Sequence, residues 1–154
     1  MRSICLHTFL PCSAEEAAAH LKKPSLLLYV ARPLVVFCPC RNETLPETWQ
    51  PAAYRLNMHL FGLVPLGWQL VDISYPTADC FTMLDNGRGA LIRRWRHTVT
   101  VKPQNGGCLY HDCVEIDAGM LTAPMATAAR LFFRHRQRRL RHLAANGFRD
   151  VKAV

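Results

Sequence analysis

Two ionisable side chains, His97 and Asp112, stand in neighbouring stretches of alternating polar and apolar residues that predict a β-hairpin. The Asn-Gly pair at 105–106 is a strong turn signal between the two stretches. A hairpin that turns there makes His97 and Asp112 diagonal neighbours on one face, within reach of a hydrogen bond. Three roles stay open for the pair: a satisfied pair that fixes the strand register, a ligand-facing pair, or a general acid and base.

The other side chains on that face are apolar. Side-chain direction in a strand has a period of two, so the hairpin pairs Val101 with Tyr110, Val99 with Asp112 and His97 with Val114. The face turned to the core is then predicted to hold Trp95, His97, Val99, Tyr110, Asp112, Val114 and Ile116. Polar groups on such a face must be hydrogen-bonded, hydrated or used by a ligand, which makes this face a candidate binding surface.

The longest predicted element is a helix over Ala123–Ala145, about 35 Å long at 1.5 Å per residue. Thr122 is predicted to cap its N-terminus, Pro124 suits its first turn, and Gly147 marks its end. Its predicted apolar stripe consists of Leu121, Met125, Ala128, Leu131 and Phe132, continued by Leu140 and Leu143. A helix of this length needs a broad surface on which to lie.

That surface is predicted to be an antiparallel sheet. A strand at Ile4–Phe9 precedes a helix that Ser13 caps and a second short helix at Ser25–Tyr29. Further strands are predicted at Leu34–Cys38, Ala53–Leu60, Trp68–Tyr75, Cys80–Leu84, Ala90–Val101 and Cys108–Ile116, with a connection at 42–51, a loop at 63–67 and a turn at 85–89. This order predicts an α+β fold in which a curved sheet of about six or seven strands is covered by the final helix.

Three strings of residues resemble a known family. They are RRWRHTVTV at 93–101, YHDCVEIDAGMLT at 110–122 and LFFRHRQRRLRHL at 131–143, and they are similar to the SRPBCC superfamily of START-related, polyketide-cyclase-like and birch-pollen-allergen-like ligand-binding domains. The resemblance implies a helix-grip fold, in which the curved sheet wraps around the C-terminal helix and encloses an apolar cavity. It also implies one ligand-binding domain over residues 1–148, followed by a short basic tail at 149–154.

The resemblance implies that the cavity holds a small hydrophobic molecule such as a lipid, a quinone or a polyketide. The strand faces and the helix stripe together predict the ligand-binding residues Met58, Leu60, Trp95, His97, Val99, Tyr110, Asp112, Val114, Met125, Ala128, Leu131 and Phe132. Each of these residues is also explicable as ordinary core.

Binding or carriage is favoured over catalysis, and whether the chain is an enzyme stays open. The alternative is an enzyme of the polyketide-cyclase or hydrolase type that uses His97 and Asp112 as acid and base. The sequence contains no nucleophile at a recognisable motif spacing, and no cofactor or metal site is predicted.

The net charge of +8 is concentrated at the C-terminus, where residues 130–154 hold eight of the 19 basic residues and one of the 11 acidic residues. The cluster Arg134–Arg141 predicts a solvated face, or a contact with an acidic protein or an anionic membrane surface. Nucleic acid is disfavoured because the basic face lacks aromatic residues for base stacking.

Seven scattered cysteines argue against a disulfide framework and predict reduced thiols in a cytoplasmic protein. Neither a signal peptide nor a membrane-spanning segment is expected, because the apolar runs are too short.

Overall fold

The computed structural model describes residues 1–41, 43–76 and 80–153. Its elements are β1 (Arg2–Leu10), α1 (Ala14–Leu21), α2 (Pro24–Ala31), β2 (Val35–Pro39), β3 (Ala53–Leu60), β4 (Val64–Ser74), β5 (Phe81–Gly89), β6 (Arg94–Gln104), β7 (Gly107–Asp117) and α3 (Thr122–Ala145), with short 3-10 helices at Gly119–Leu121 and Arg149–Ala153. Within these residues, seven strands form one curved antiparallel sheet in the order β1-β7-β6-β5-β4-β3-β2. The predicted α+β helix-grip architecture is confirmed.

The hairpin β6–β7 has the predicted register. Val101 pairs with Tyr110, Val99 with Asp112 and His97 with Val114. The turn residue Gly106 has a φ of 80°, which a glycine adopts without strain. Because this register holds, the inner face carries the side chains that the alternation predicts.

Two loop predictions are wrong. The segment 63–67 is largely strand, because β4 begins at Val64 and continues the pairing with β3 across a register shift between Met58 and His59. The segment 85–89 is not a turn but the end of β5. A side chain at Gly87 would collide with the backbone oxygen of Leu70 in β4, so this glycine permits close strand approach instead of chain reversal.

The predicted helix α3 is present, but two details of its prediction are wrong. Thr122 is its first residue and not its N-cap; the Thr122 hydroxyl accepts from the amide of Ala118 and donates to the carbonyl of Gly119. The core-facing positions are Thr122, Ala126, Ala129, Phe133, Gln137, Leu140, Leu143 and Ala144. Leu140 and Leu143 of the predicted stripe are buried, but Leu121 and Leu131 are exposed, so in the first half of the helix the buried stripe lies beside the predicted one.

The helix does not lie centrally over the sheet. It packs mainly against β1, at one edge of the sheet. There Ala129 and Phe133 join the buried residues Ile92, Val114 and Ile116 in one apolar cluster. Because a helix is only about 10 Å wide, the β2–β5 half of the curved sheet remains partly uncovered by α3.

The C-terminal segment after residue 148 forms the 3-10 helix Arg149–Ala153 and buries Val151 against the core. Asn42 in the predicted connection and Val154 in the predicted tail lie outside the described residues. Among the helices described, none has the length and apolar character needed to cross a membrane.

The prediction that all cysteines are reduced is wrong. Cys5 in β1 and Cys113 in β7 occupy directly paired positions and form a disulfide. Their separation of 108 residues hides the pairing in the sequence. Disulfides persist in oxidising compartments, so the expectation of a cytoplasmic location loses the cysteine argument on which it was based.

Candidate functional site

A cavity of about 460 Å³ lies between α3 and the β2–β5 half of the sheet, with α1 and α2 closing one side. Its walls are almost entirely apolar. The lining residues are Leu21, Leu26, Leu27, Leu34, Val35, Phe37, Trp49, Met58, Leu60, Leu66, Gln69, Val71, Ile73, Met83, Asp85, Leu91, Ile92, Trp95, His97, Met125, Ala128, Ala129, Leu131, Phe132 and Arg136. Leu91 and Leu131 both line the cavity and are exposed, so they mark its opening.

The structure brings together most of the predicted ligand-binding residues. The cavity is lined by Met58, Leu60, Trp95, His97, Met125, Ala128, Leu131 and Phe132 from that set. The other four, Val99, Tyr110, Asp112 and Val114, are buried but do not line the cavity. They do not line it because α3 packs off-centre towards β1, and the cavity lies under the opposite half of the sheet.

Four polar side chains, Gln69, Asp85, His97 and Arg136, face this apolar cavity. Of these, only His97 is predicted from the sequence. Asp85 was hidden by the mistaken turn at 85–89: as a strand residue it shares a face with Met83, which also lines the cavity. Arg136 was grouped with the solvent-facing arginines, although its position one turn after Phe132 places it on the cavity side of α3.

Asp85 is buried and stands directly opposite His97 in the β5–β6 pairing. Its Oδ1 atom accepts a hydrogen bond of 2.9 Å from the backbone amide of Asp72. Burial raises the pKa of Asp85 to about 7, against the opposing effects of the Asp72 amide, the Arg136 charge and the Trp95 side chain. Asp85 is therefore present in both its neutral and its charged form near neutral pH.

Arg136 is half-buried on α3, and its guanidinium lies 5.1 Å from the ring centre of Phe133 and 5.7 Å from that of Phe132. Its Nε atom is buried and has no hydrogen-bond partner among the described residues. Within the described part of the chain, no carboxylate oxygen lies within salt-bridge distance of the Arg136 guanidinium. The cavity wall thus contains a cation without a paired anion.

Asp112 is the acceptor of a buried polar network beside the cavity. Its Oδ1 atom is 2.7 Å from Nε2 of His97 and accepts a 2.6 Å hydrogen bond from the Tyr110 hydroxyl. Its Oδ2 atom accepts a 3.0 Å hydrogen bond from Nε2 of Gln137 in α3. The network joins β6, β7 and α3, and it satisfies both carboxylate oxygens.

The charge state of the network follows from burial and hydrogen bonding. Burial lowers the pKa of His97, so the imidazole is neutral at pH 7. Burial alone raises the pKa of Asp112, but the hydrogen bond from His97, aided by the Arg136 charge and the Tyr110 hydroxyl, holds it below its ordinary value. Since a carboxylate only accepts, Nε2 of His97 carries the proton and Nδ1 is left as an acceptor.

This geometry supports the first of the three roles left open for His97 and Asp112. Asp112 is only 2% exposed, receives three hydrogen bonds and does not line the cavity, so a ligand there does not reach its carboxylate. His97 alone faces the cavity. The pair therefore fixes β6, β7 and α3 relative to one another, and only its imidazole can contact a bound molecule.

The arginine cluster on α3 divides into two sets. Arg136 and Arg139 turn inward, and the guanidinium of Arg139 lies 4.4 Å from the ring centre of Tyr29. The exposed arginines border a surface groove of about 530 Å³ between α3 and the edge strand β1. Its lining is Leu6, His7, Thr8, Leu131, Arg134, His135, Gln137, Arg138 and Arg141.

One group of potential metal ligands lies on the outer side of the sheet. Atoms of Cys5, His111 and Cys113 fall within 4.8 Å of one another. The disulfide occupies both sulfur atoms, so this group offers no thiolate ligand while it is oxidised.

A family model described as "Domain of unknown function (DUF8410)" matches residues 34–144. A comparison with curated protein sequences gives no match. Solved structures match over nearly the whole chain. A START superfamily protein from Mycobacterium smegmatis has a TM-score of 0.68 at 11% identity, covering 94% of this chain and 97% of its own.

Two further structures share the architecture at low identity. Protein CV1439 from Chromobacterium violaceum has a TM-score of 0.66 at 16% identity, covering 93% of this chain and 97% of its own. Ara h 8.0201 has a TM-score of 0.58 at 9% identity, covering 90% of this chain and 97% of its own. These likenesses confirm the SRPBCC-type fold that the sequence resembles, and at such identities they speak for the fold alone.

Proposed function

The chain belongs to the family described as Domain of unknown function (DUF8410), and from the geometry of its cavity we propose that it binds or carries a small, largely hydrophobic molecule. The observation that carries the proposal is the cavity of about 460 Å³ beneath α3, with walls that are mainly aliphatic and aromatic. Ligand pockets in proteins typically have volumes of roughly 300–1,000 Å³ and few polar groups. A lipid, a quinone or a polyketide-like molecule fits this description.

The methionine content of the lining also favours binding. Three methionines, Met58, Met83 and Met125, line the cavity. Methionine side chains are flexible and polarisable, so they adapt to apolar ligands of different shapes. An empty space of this size would forgo many dispersion contacts, and a bound apolar molecule restores them.

Titration with the neutral fluorescent dye Nile red tests the proposal. The protein should bind the dye saturably at one site, with a blue-shifted emission that reports an apolar environment. Met125→Trp replaces a methionine side chain in the cavity by a bulkier indole ring, which takes up space that the dye needs. It should weaken dye binding at least about tenfold, a loss of about 1.4 kcal/mol. Met120→Trp is the matched control, because Met120 is 99% exposed and lies outside the lining.

Two outcomes would overturn the proposal. The first is the absence of saturable dye binding to the folded protein. The second is equal weakening by both substitutions, which would place the dye outside the cavity.

Catalysis on the bound molecule is the alternative, and one observation favours it. Nδ1 of His97 is an acceptor on a residue that lines the cavity, so it could take a proton from a ligand. Replacing His97 by Gln distinguishes the two functions. A carrier should keep most of its affinity, whereas an enzyme should bind its substrate and lose turnover.

The groove between α3 and β1 favours a second alternative, an acidic protein segment as partner. Arg134, Arg138 and Arg141 present cationic groups along one side of β1, whose outer edge pairs with no strand in the described part of the chain. An extended acidic segment could pair with that edge. Reversing Arg134 and Arg138 to Glu should abolish binding of a poly-glutamate peptide at low salt. Equal binding by the variant, or preference for anionic vesicles over the peptide, would exclude this alternative.

A further inference from the structure

We propose that the ligand of the cavity is a monocarboxylic acid with an apolar body, whose carboxylate is bound by Arg136. The inference rests on the function proposed above and names the chemical class of the molecule. Arg136 lies with Gln69, Asp85 and His97 among the few polar groups of a cavity whose other walls are apolar.

Arg136 has the properties of a ligand-binding cation. Its guanidinium lies over the rings of Phe132 and Phe133, which hold it against the cavity wall. Its buried Nε atom lacks a hydrogen-bond partner among the described residues. Nε is closed to a ligand by its burial, so a ligand carboxylate would bind the two outer amino groups of the guanidinium, for which no hydrogen bond is found among the described residues.

The charge of Arg136 acts on Asp85 and Asp112, but neither carboxyl group forms a salt bridge with it in the described structure. Asp112 is held by its own three donors and does not line the cavity. Asp85 lines the cavity but forms no ion pair with Arg136 in the described structure, and its Oδ1 atom is engaged with the backbone of Asp72. Below pH 7, where Asp85 is mostly neutral, Arg136 is the charged side chain among the described residues that line the cavity, and an anion would complement it.

Asp85 can assist the binding of an anion when it is protonated. With a pKa of about 7, Asp85 is neutral in a large fraction of molecules at and below neutral pH. A neutral carboxyl group donates a hydrogen bond to a carboxylate, whereas the charged form repels it. The groups that face Asp85 are Gln69, Asp72, Trp95, His97 and Arg136.

The rest of the cavity determines the chemical character of the ligand outside its carboxylate. Apart from the polar groups, the walls are formed by side chains such as Leu26, Phe37, Met58 and Ile73. One guanidinium matches one carboxylate in a two-point interaction. A sugar or a nucleotide would leave most of its polar groups unpaired against these walls.

The test compares decanoate with its neutral methyl ester by calorimetry at pH 6. Wild-type protein should bind decanoate at least about tenfold more tightly than the ester, a difference of about 1.4 kcal/mol. Arg136→Met should bring the ratio of the two affinities close to one. Arg130→Met, at an exposed arginine of the same helix that lines neither the cavity nor the groove, should leave the ratio as in wild type.

Asp85 gives a second readout. The affinity of wild type for decanoate should fall several-fold between pH 6 and pH 8, because Asp85 loses its proton over this range. In Asp85→Asn the affinity should not change between these pH values, apart from any change shared with the ester.

The outcomes separate this inference from the function on which it rests. Equal affinity of wild type for decanoate and ester, or an unchanged ratio in Arg136→Met, would overturn the carboxylate assignment while leaving a hydrophobic cavity intact. Failure of decanoate, ester and Nile red alike to bind would overturn both.

Discussion

Asp112 is the residue on which the buried polar network depends, since it accepts hydrogen bonds from two strands and from α3. Asp112→Asn replaces one acceptor oxygen by a donor, so at least one of the three donors becomes unpaired in the core. We expect a loss of about 2–4 kcal/mol in the free energy of unfolding, measured with urea. Asp150→Asn, at an exposed position, is the control and should change stability by less than about 0.5 kcal/mol. Equal stability of the two variants would show that the network contributes little.

Asp85 makes stability depend on pH in a defined direction. Its pKa rises from 3.8 to about 7 on folding, so between these values the folded chain holds a proton that the unfolded chain releases. Stability therefore falls as the pH rises from about 4 to 7, by about 4 kcal/mol if each pKa unit is worth ~1.4 kcal/mol. Asp85→Asn should remove this penalty.

The measurement is urea unfolding of wild type and Asp85→Asn at pH 4.5 and pH 8. The variant should gain stability over wild type mainly at pH 8. The comparison also removes the opposite effect of His97, whose lowered pKa weakens the fold as the pH falls below 6.5. A difference between the proteins that is the same at both pH values would contradict the burial of a titrating Asp85.

For individual residues, the sequence predicts contacts that depend on strand register. It misses contacts that depend on which side of a helix faces the core. The turn at 105–106 was sufficient to place His97 beside Asp112. Gln137 was not predicted as the third donor, because the assumed stripe of α3 included Leu131 and omitted Phe133. Alternation within a strand has two solutions, whereas a helix with arginines and leucines on several sides has many.

At the scale of the elements, substitutions at two apolar positions of α3, Phe133 and Leu131, are predicted to have different effects on stability and on dye binding. Phe133 is 1% exposed and contacts the rings of Trp95 and His97, whereas Leu131 is 59% exposed at the opening of the cavity. Phe133→Ala should cost about 3–5 kcal/mol in the free energy of unfolding. Leu131→Ala should change stability by less than about 0.5 kcal/mol and weaken Nile red binding.

Unfolding curves and dye titrations on the two variants check this pair. A reversal, in which Leu131→Ala unfolds the protein and Phe133→Ala does not, would show that α3 is rotated relative to the structure described here. The two substitutions thus test the phase of the helix, which the sequence did not predict.

The strands show why the loop predictions failed. Glycines at 87 and 89 indicated a turn, but both lie where a side chain would collide with β4. The Cys5–Cys113 bond was missed for a related reason, since it joins the first strand to the last across a sheet order that local patterns do not contain. Long-range pairing of this kind emerges only when the whole topology is known.

For the molecule as a whole, fold class and element order follow from the sequence, and the position of the cavity does not. Alternation and the long C-terminal helix predict a curved sheet with a helical cover. The sequence does not reveal that α3 packs towards β1, which leaves the space beneath β2–β5 and gives it Asp85 and Arg136. That asymmetry is a property of packing between distant elements, and the proposed function depends on it.

The most direct measurement uses the five methionines as reporters. Met58, Met83 and Met125 line the cavity, whereas Met1 and Met120 are exposed and lie elsewhere. In protein labelled with ¹³C at the methionine methyls, methyl decanoate should shift the NMR signals of the first three and leave those of Met1 and Met120 unchanged. Shifts confined to Met1 and Met120, or no shift at any of the five at saturating ligand, would contradict a ligand-binding cavity beneath α3.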